Sequence, residues 1–197
     1  MATIIGISGA LRRGSYNAAL LRGALELAPA GLSIEVASIR DIPLYDGDLE
    51  AEHGIPEPVR ALQDRIAAAD GLLLVTPEYN NSIPGVFKNA IDWLSRPPND
   101  IPRVFGGKPV ALMGATPGPG GTALAHVAWL PVLRTLGTQT WFGPRVYVSN
   151  AAKVFDTEGR IVDGTVRASV AKFLSGFSEF IARVGSLAGE RGTHSHS

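Results

Sequence analysis

Short apolar blocks alternate along this chain with longer stretches whose apolar residues recur every third or fourth position. Thr3-Ile4-Ile5-Gly6-Ile7 stops at Ser8-Gly9, as a strand buried on both faces does. Leu20, Leu21, Ala24, Leu25 and Ala28 then follow helical spacing until Pro29 and Gly31 end the run. Leu32-Ser33-Ile34-Glu35-Val36 alternates like a half-buried strand, and a loop rich in Pro, Gly and Asp follows from about Asp41 to Pro58. Val59, Leu62, Ile66 and Ala69 mark a helix face, and Leu72-Leu73-Leu74-Val75 a third strand stopped by Pro77.

The second half repeats the alternation. A helix with apolar positions Val86, Phe87, Ala90, Ile91 and Leu94 is expected to start near Ser82-Ile83-Pro84, Ser being a good N-cap and Pro tolerated in a first turn. Pro97-Pro98 breaks it. Pro109-Val110-Ala111-Leu112-Met113 reads as a fourth strand, and Leu124, Val127, Ala128, Leu133 and Leu136 as a helix that Pro131 is placed to kink. A fifth strand falls within Thr138–Val148, and a last helix carries Val166, Val170, Phe173, Leu174, Phe177, Ile181 and Val184. Five strand–helix alternations imply right-handed crossovers and a parallel sheet covered on both faces. The expected organisation is one domain over residues 1–184 and a flexible tail over 185–197.

Composition narrows the function. With 18 Lys plus Arg against 18 Asp plus Glu, the formal net charge is zero. That leaves no electrostatic footprint for nucleic acid or an anionic membrane. The absence of cysteine excludes disulfides, thiolate catalysis and cysteine-ligated metal, and suits a reducing compartment. No apolar run approaches the roughly 20 residues of a membrane helix. The N-terminus enters a strand without the charged region of a signal peptide. A cytoplasmic protein is expected.

In such a sheet ligands bind beyond the carboxyl ends of the strands. The loop Gly9-Ala10-Leu11-Arg12-Arg13-Gly14-Ser15-Tyr16-Asn17 precedes a helix, whose N-terminus offers unpaired N–H groups and the positive dipole end to an anion. Arg12 and Arg13 add charge, and Ser15 and Asn17 hydrogen bonds. The loop nearly matches a P-loop, but Ser15 stands where Lys is required and Tyr16 where Ser or Thr must hold Mg²⁺. The dinucleotide fingerprint G-x-G-x-x-G is also absent here. A mononucleotide phosphate fits better, the bland alternative being a capped helix start with two solvated arginines.

The segment Pro77-Glu78-Tyr79-Asn80-Asn81-Ser82-Ile83-Pro84-Gly85-Val86-Phe87-Lys88-Asn89-Ala90-Ile91-Asp92-Trp93 resembles the P-E-Y-N-x-S-x-P-G-x-x-K-N-A-I-D-W segment of the NADPH-dependent FMN reductase family. Ser8 to Asn17 resembles that family's phosphate loop. The resemblance covers about residues 3–180 in element order. It implies a flavodoxin-like, doubly wound five-stranded parallel sheet of order 2-1-3-4-5 with helices on both faces. It implies FMN as cofactor and NADPH or NADH as donor, with a quinone, azo compound, chromate or free flavin as acceptor in a ping-pong reaction. The flavin N5 would carry the chemistry, with no catalytic side chain and no metal. Arg12, Ser15 and Asn17 would hold the phosphate. Pro77, Glu78, Tyr79 and Asn80 would line the isoalloxazine and ribityl, largely through main chain. Thr116, Gly120 and Gly121 would flank the polar edge of the ring. A homodimer or homotetramer is implied, with the helices Pro84–Leu94 and Leu124–Leu136 as candidate contact surfaces. The family often has Ser where this chain has Ala10, so one phosphate hydroxyl is missing. A flavodoxin-type electron carrier is the runner-up, disfavoured by the neutral charge; a flavin-free nucleotide-binding protein is the third reading.

Other polar residues read more blandly. Lys88 and Asp92 form a surface pair rather than a pyridine-nucleotide contact. Asp46, Asp48, Glu50, Glu52 and His53 lack ligand spacing and read as a solvated loop. Trp93 and Trp129 read as packing or subunit contacts, and His126 as a surface or interface residue. His194 and His196 lie in the tail.

Overall fold

The computed structural model describes residues 1–193, with side chains as far as Leu187. The apolar blocks become strands β1 (Ala2–Ser8), β3 (Gly71–Val75) and β4 (Pro109–Ala115). Every residue of β3 and β4 is buried, as expected of central parallel strands covered on both faces. β2 (Leu32–Ala37) alternates and lies at an edge. With β5 at Gln139–Thr140, the strands run parallel in the order β2-β1-β3-β4-β5, the order expected.

The alternation of side chains along each strand divides the core in two. Ile4, Leu73, Val75 and Met113 face helices α1 (Tyr16–Leu27) and α7 (Gly164–Thr193), meeting Leu20, Leu21, Phe173 and Phe177. Ile5, Ile7, Leu72 and Leu74 face the other side. There α3 (Glu57–Ala68), α4 (Gly85–Leu94) and α6 (Ala123–Thr135) bring Leu62, Ile66, Phe87, Trp93 and Trp129. Because α1 covers one face and α4 the other, the chain leaves the neighbouring strands β1 and β3 in opposite directions. A crevice opens between their carboxyl ends.

Several boundaries differ from expectation. The fifth strand is split: β5 (Gln139–Thr140) and β6 (Tyr147–Val148) both pair with β4, while residues 142–145 leave the sheet between them. The Asp41–Pro58 loop contains helix α2 (Gly47–His53), capped by Asp46 and ended by Gly54 at φ 74°. None of its residues is buried, so no apolar stripe announced it. Helix α4 begins at Gly85 with Pro84, not Ser82, at its N-cap, because Ser82 is taken up in a tight turn. A four-residue helix α5 (Ile101–Val104) follows the cis peptide Arg96–Pro97. Helix α6 runs through Pro131, and α7 continues to Thr193, taking in residues expected in the tail. His194 and His196 lie outside the described residues.

Candidate functional site

Three loops converge at the carboxyl end of the sheet and line one cleft. The loop after β1 and the start of α1 contribute Ala10, Arg12, Ser15 and Asn17; the loop after β3 contributes Pro77, Glu78 and Tyr79. The end of β4 adds Ala115, Thr116 and Pro117. Seven of the ten residues expected at the site therefore meet here. Asn80, Gly120 and Gly121 do not line it. Ala10, Ala115 and Pro117 line it without having been singled out as contacts, since a small or cyclic apolar side chain carries no chemical signal.

The first loop is anchored at both ends and open in its middle. Gly9 N–H donates to Val75 O at 2.9 Å, and Ser15 N–H to Arg12 O at 3.2 Å. A Cβ on Gly9 would lie 2.1 Å from Phe87 Cδ1, so this glycine serves packing between the loop and α4. Ser15 is the N-cap of α1, its Oγ accepting from the N–H groups of Asn17 and Ala18 at 3.2 Å each. Its own O–H remains available to a ligand. Between these anchors the N–H groups of Ala10 to Gly14 have no hydrogen-bond partner among the described residues. The exposed Arg12 lies over the Tyr16 ring at 5.2 Å, and Arg40 donates to Leu11 O from the neighbouring strand end.

Asn17 is placed differently from expectation. Its side-chain amide donates to Ala115 O at 2.8 Å and accepts from Ala115 N–H at 2.9 Å. It staples the start of α1 to the end of β4 and fixes the loop, rather than presenting its amide to an anion.

The second loop is a miniature hairpin. Tyr79 and Ser82 exchange two backbone hydrogen bonds of 3.2 and 3.1 Å. Between them Asn80 and Asn81 have φ 49° and 61°. Two consecutive left-handed residues form a type I′ turn, a conformation Asn tolerates well. The turn carries Asn80 away from the cleft and leaves Tyr79 46% exposed at its wall. Glu78 reaches the other way: its Oε2 accepts from Ala125 N–H at 3.0 Å, in the first turn of α6. Thr76 is fully buried and accepts from Trp129 Nε1 at 3.1 Å. Trp93 Nε1 donates to Pro43 O at 3.0 Å. Both tryptophans are packing residues.

The third loop starts where Thr116 N–H donates to Val148 O at 2.9 Å. Gly121 has φ 68° and packs so closely on Tyr147 that a Cβ would lie 3.0 Å from that residue's Cβ. This explains glycine there by backbone conformation and crowding. Gly120 faces open space.

Charges around the site are local. Lys88 and Asp92 pair at 2.7 Å on the half-exposed flank of α4, as expected. Glu50 of α2 accepts from Arg96 Nε at 2.8 Å and from Tyr45 O–H at 2.9 Å, and the Arg96 hydrogen bond holds its carboxyl below the usual range. No group of acidic and histidine side chains among the described residues could hold a metal. His126 departs from expectation: it is 7% exposed, and burial lowers its pKa to about 4.

The cleft thus has a cationic end, with free N–H groups, a helix N-terminus, a hydroxyl and Arg12. It continues into uncharged walls at Pro77, Tyr79 and Pro117. A phosphate fits the first part, and a flat ring approached by main chain fits the second. The NADPH-dependent FMN reductase family matches residues 2–153. An NAD(P)H-dependent FMN reductase of Pseudomonas aeruginosa is 44% identical over 181 residues, covering 92% of this chain and 96% of that protein. A quinone reductase of Escherichia coli is 38% identical over 185 residues, covering 92% and 96%. The structure of FerB, a flavoenzyme NAD(P)H:(acceptor) oxidoreductase from Paracoccus denitrificans, superposes with a TM-score of 0.83 at 35% identity, covering 93% of this chain and 98% of that one.

Proposed function

The chain belongs to the NADPH-dependent FMN reductase family, and on that premise we propose that it is an FMN-dependent oxidoreductase. It takes a hydride from NADPH or NADH and delivers it to a small acceptor in a ping-pong reaction. Quinone, azo compound, chromate and free flavin are the candidate acceptors, and quinone is favoured by the names of similar proteins. The observation that carries the reading is the run of unpartnered N–H groups from Ala10 to Gly14. It lies beside Arg12 and the Ser15 cap, in one cleft with Pro77 and Tyr79.

FMN, when bound, supplies a ring that accepts and returns two electrons as hydride. The protein's residues bind and orient. Arg12, the Ser15 hydroxyl and the free N–H groups hold the phosphate. Asn17 keeps the loop in register with β4. Pro77, Glu78 and Tyr79 present main chain to the ring, and Thr116 flanks its edge. Asn80, Gly120 and Gly121 act through the turns they form. No side chain is assigned as acid or base: for a quinone, the hydride from NAD(P)H and one proton from solvent give the hydroquinone. Initial velocities over a grid of NADPH and 1,4-benzoquinone test the scheme. Parallel double-reciprocal lines support one site used in turn; intersecting lines contradict it.

The same reading includes a cytoplasmic homodimer or homotetramer. No helix among the described residues is long and apolar enough to cross a membrane. Val86 on α4 and Leu124, Val127 and Leu130 on α6 are exposed, and burying them between copies removes apolar surface from water. Light scattering of the purified protein should give two or four copies; one copy contradicts this part.

A further inference from the structure

The loop after β1 has a neighbour on each side. The strand order β2-β1-β3 puts the end of β2 on one flank and the end of β3, with the flavin cleft, on the other. From the β2 flank the guanidinium of Arg40 donates through Nη2 to Leu11 O, in the middle of the loop. Arg40 is exposed, and no carboxylate among the described residues pairs with it. Its own N–H donates to Ser38 Oγ at 3.1 Å, which holds the chain where it leaves β2. The charge of Arg40 is therefore directed at one carbonyl of the phosphate loop rather than at an acidic partner.

That carbonyl fixes the direction of a donor. The Leu11–Arg12 peptide is trans. A trans peptide is planar, so its C=O and its N–H point opposite ways. Leu11 O faces Arg40 on the β2 flank, and Arg12 N–H therefore faces the β3 flank, where Arg12 lines the cleft. The Leu11 side chain is partly buried and packs against the core below. The next carbonyl, Arg12 O, is taken by Ser15 N–H at 3.2 Å. A peptide unit without such a hold is free to rotate about its flanking dihedrals and turn its N–H to solvent. A guanidinium donor also polarises the peptide it binds, which strengthens the N–H as a donor to an anion.

We propose that Arg40 is a positioning residue for the flavin phosphate. It does not line the cleft; it sets the Leu11–Arg12 peptide so that Arg12 N–H donates to the phosphate. This role rests on the flavin reading of the cleft. It separates Arg40 from Arg12, whose side chain reaches the cleft itself.

Fluorescence titration of the full-length apoprotein with FMN and with riboflavin, at 0.1 M and 1 M KCl, tests this role. Arg40→Met, which keeps the length and removes the donor, should weaken FMN roughly fivefold to fiftyfold. The loss should persist at 1 M KCl, where a charge acting from a distance is screened. Riboflavin, which has no phosphate, should bind the variant as it binds the wild type. Arg40→Lys keeps a charged donor and should recover most of the loss. FMN affinity within twofold of wild type in Arg40→Met overturns the proposal. So do equal losses for FMN and riboflavin, a loss that vanishes at 1 M KCl, or an Arg40→Lys variant no better than Arg40→Met. Wild-type protein that takes up neither flavin would instead contradict the flavin reading itself, and this role with it.

Discussion

Glu78 Oε2 accepts a 3.0 Å hydrogen bond from the backbone N–H of Ala125, 47 positions along the chain. Thr122, the N-cap of α6, makes no side-chain capping bond, so Glu78 caps this helix from another loop. A carboxylate there also meets the positive end of the helix dipole. One bond thereby ties the loop after β3 to the helix after β4, across the cleft wall. Glu78→Ala should destabilise the protein by about 1 kcal/mol, as loss of a cap does. Glu78→Gln, which keeps an acceptor, should lose less. Urea unfolding of both variants checks this; equal losses would show that the bond contributes nothing beyond packing.

Arg12 makes no ion pair among the described residues, and the loop it stands on keeps its N–H groups free. Arg12→Ala should therefore weaken FMN binding roughly tenfold to hundredfold, the worth of a charged hydrogen bond. It should cost the apoprotein no more than about 1 kcal/mol, the worth of its exposed contact with the Tyr16 ring. Ala10→Ser adds a hydroxyl to the loop's wall of the cleft and should tighten FMN about two- to tenfold. Fluorescence titration with FMN measures both. Unchanged affinity in Arg12→Ala would place the phosphate elsewhere.

Asn17 should behave in the opposite way. Its amide satisfies both Ala115 N–H and Ala115 O inside the protein. Asn17→Ala leaves those buried groups unpaired and should cost about 2 to 3 kcal/mol. The loss should appear equally in apo and FMN-loaded protein when their urea midpoints are compared. A loss confined to the loaded form would return Asn17 to the phosphate.

These contrasts show what could be read from residue order. The parallel sheet, the two-sided core and the convergence of three loops follow from buried strands and helical spacing, which are local patterns; the strand order came with the resemblance carried by Pro77–Trp93. Arg12 and Ser15 were legible because a polar loop that opens a helix suits an anion, whereas Pro77 and Tyr79 were legible only through the resemblance. What Asn17 and Glu78 hold was not, because their partners, Ala115 and Ala125, are backbone groups far along the chain. Helix α2 escaped because none of its residues is buried. The split fifth strand escaped because two-residue strands carry no periodicity. His126 read as a surface residue because Leu124 and Val127, taken as core, point outward instead, with Val127 62% exposed.

His126 predicts a pH dependence. Its folded pKa is lowered to about 4 by burial, below the unfolded value near 6.5. Above pH 6.5 both states are neutral there and no penalty exists. As pH falls toward 4 the unfolded chain takes up the proton first, so stability is lost, by about 3 kcal/mol at pH 4. His126→Phe should flatten this part of the stability profile, measured by urea unfolding between pH 7 and 4. An unchanged slope would mean that other groups cause it.

On the proposed function the cleft holds FMN, and NAD(P)H and the acceptor use it in turn. Anaerobic visible spectroscopy of the FMN-loaded protein tests it most directly. One equivalent of NADPH, or of NADH, should bleach the absorbance of bound flavin. One equivalent of 1,4-benzoquinone added afterwards should restore it. Protein that fails to retain FMN, or bound flavin bleached by neither nucleotide, would contradict the account.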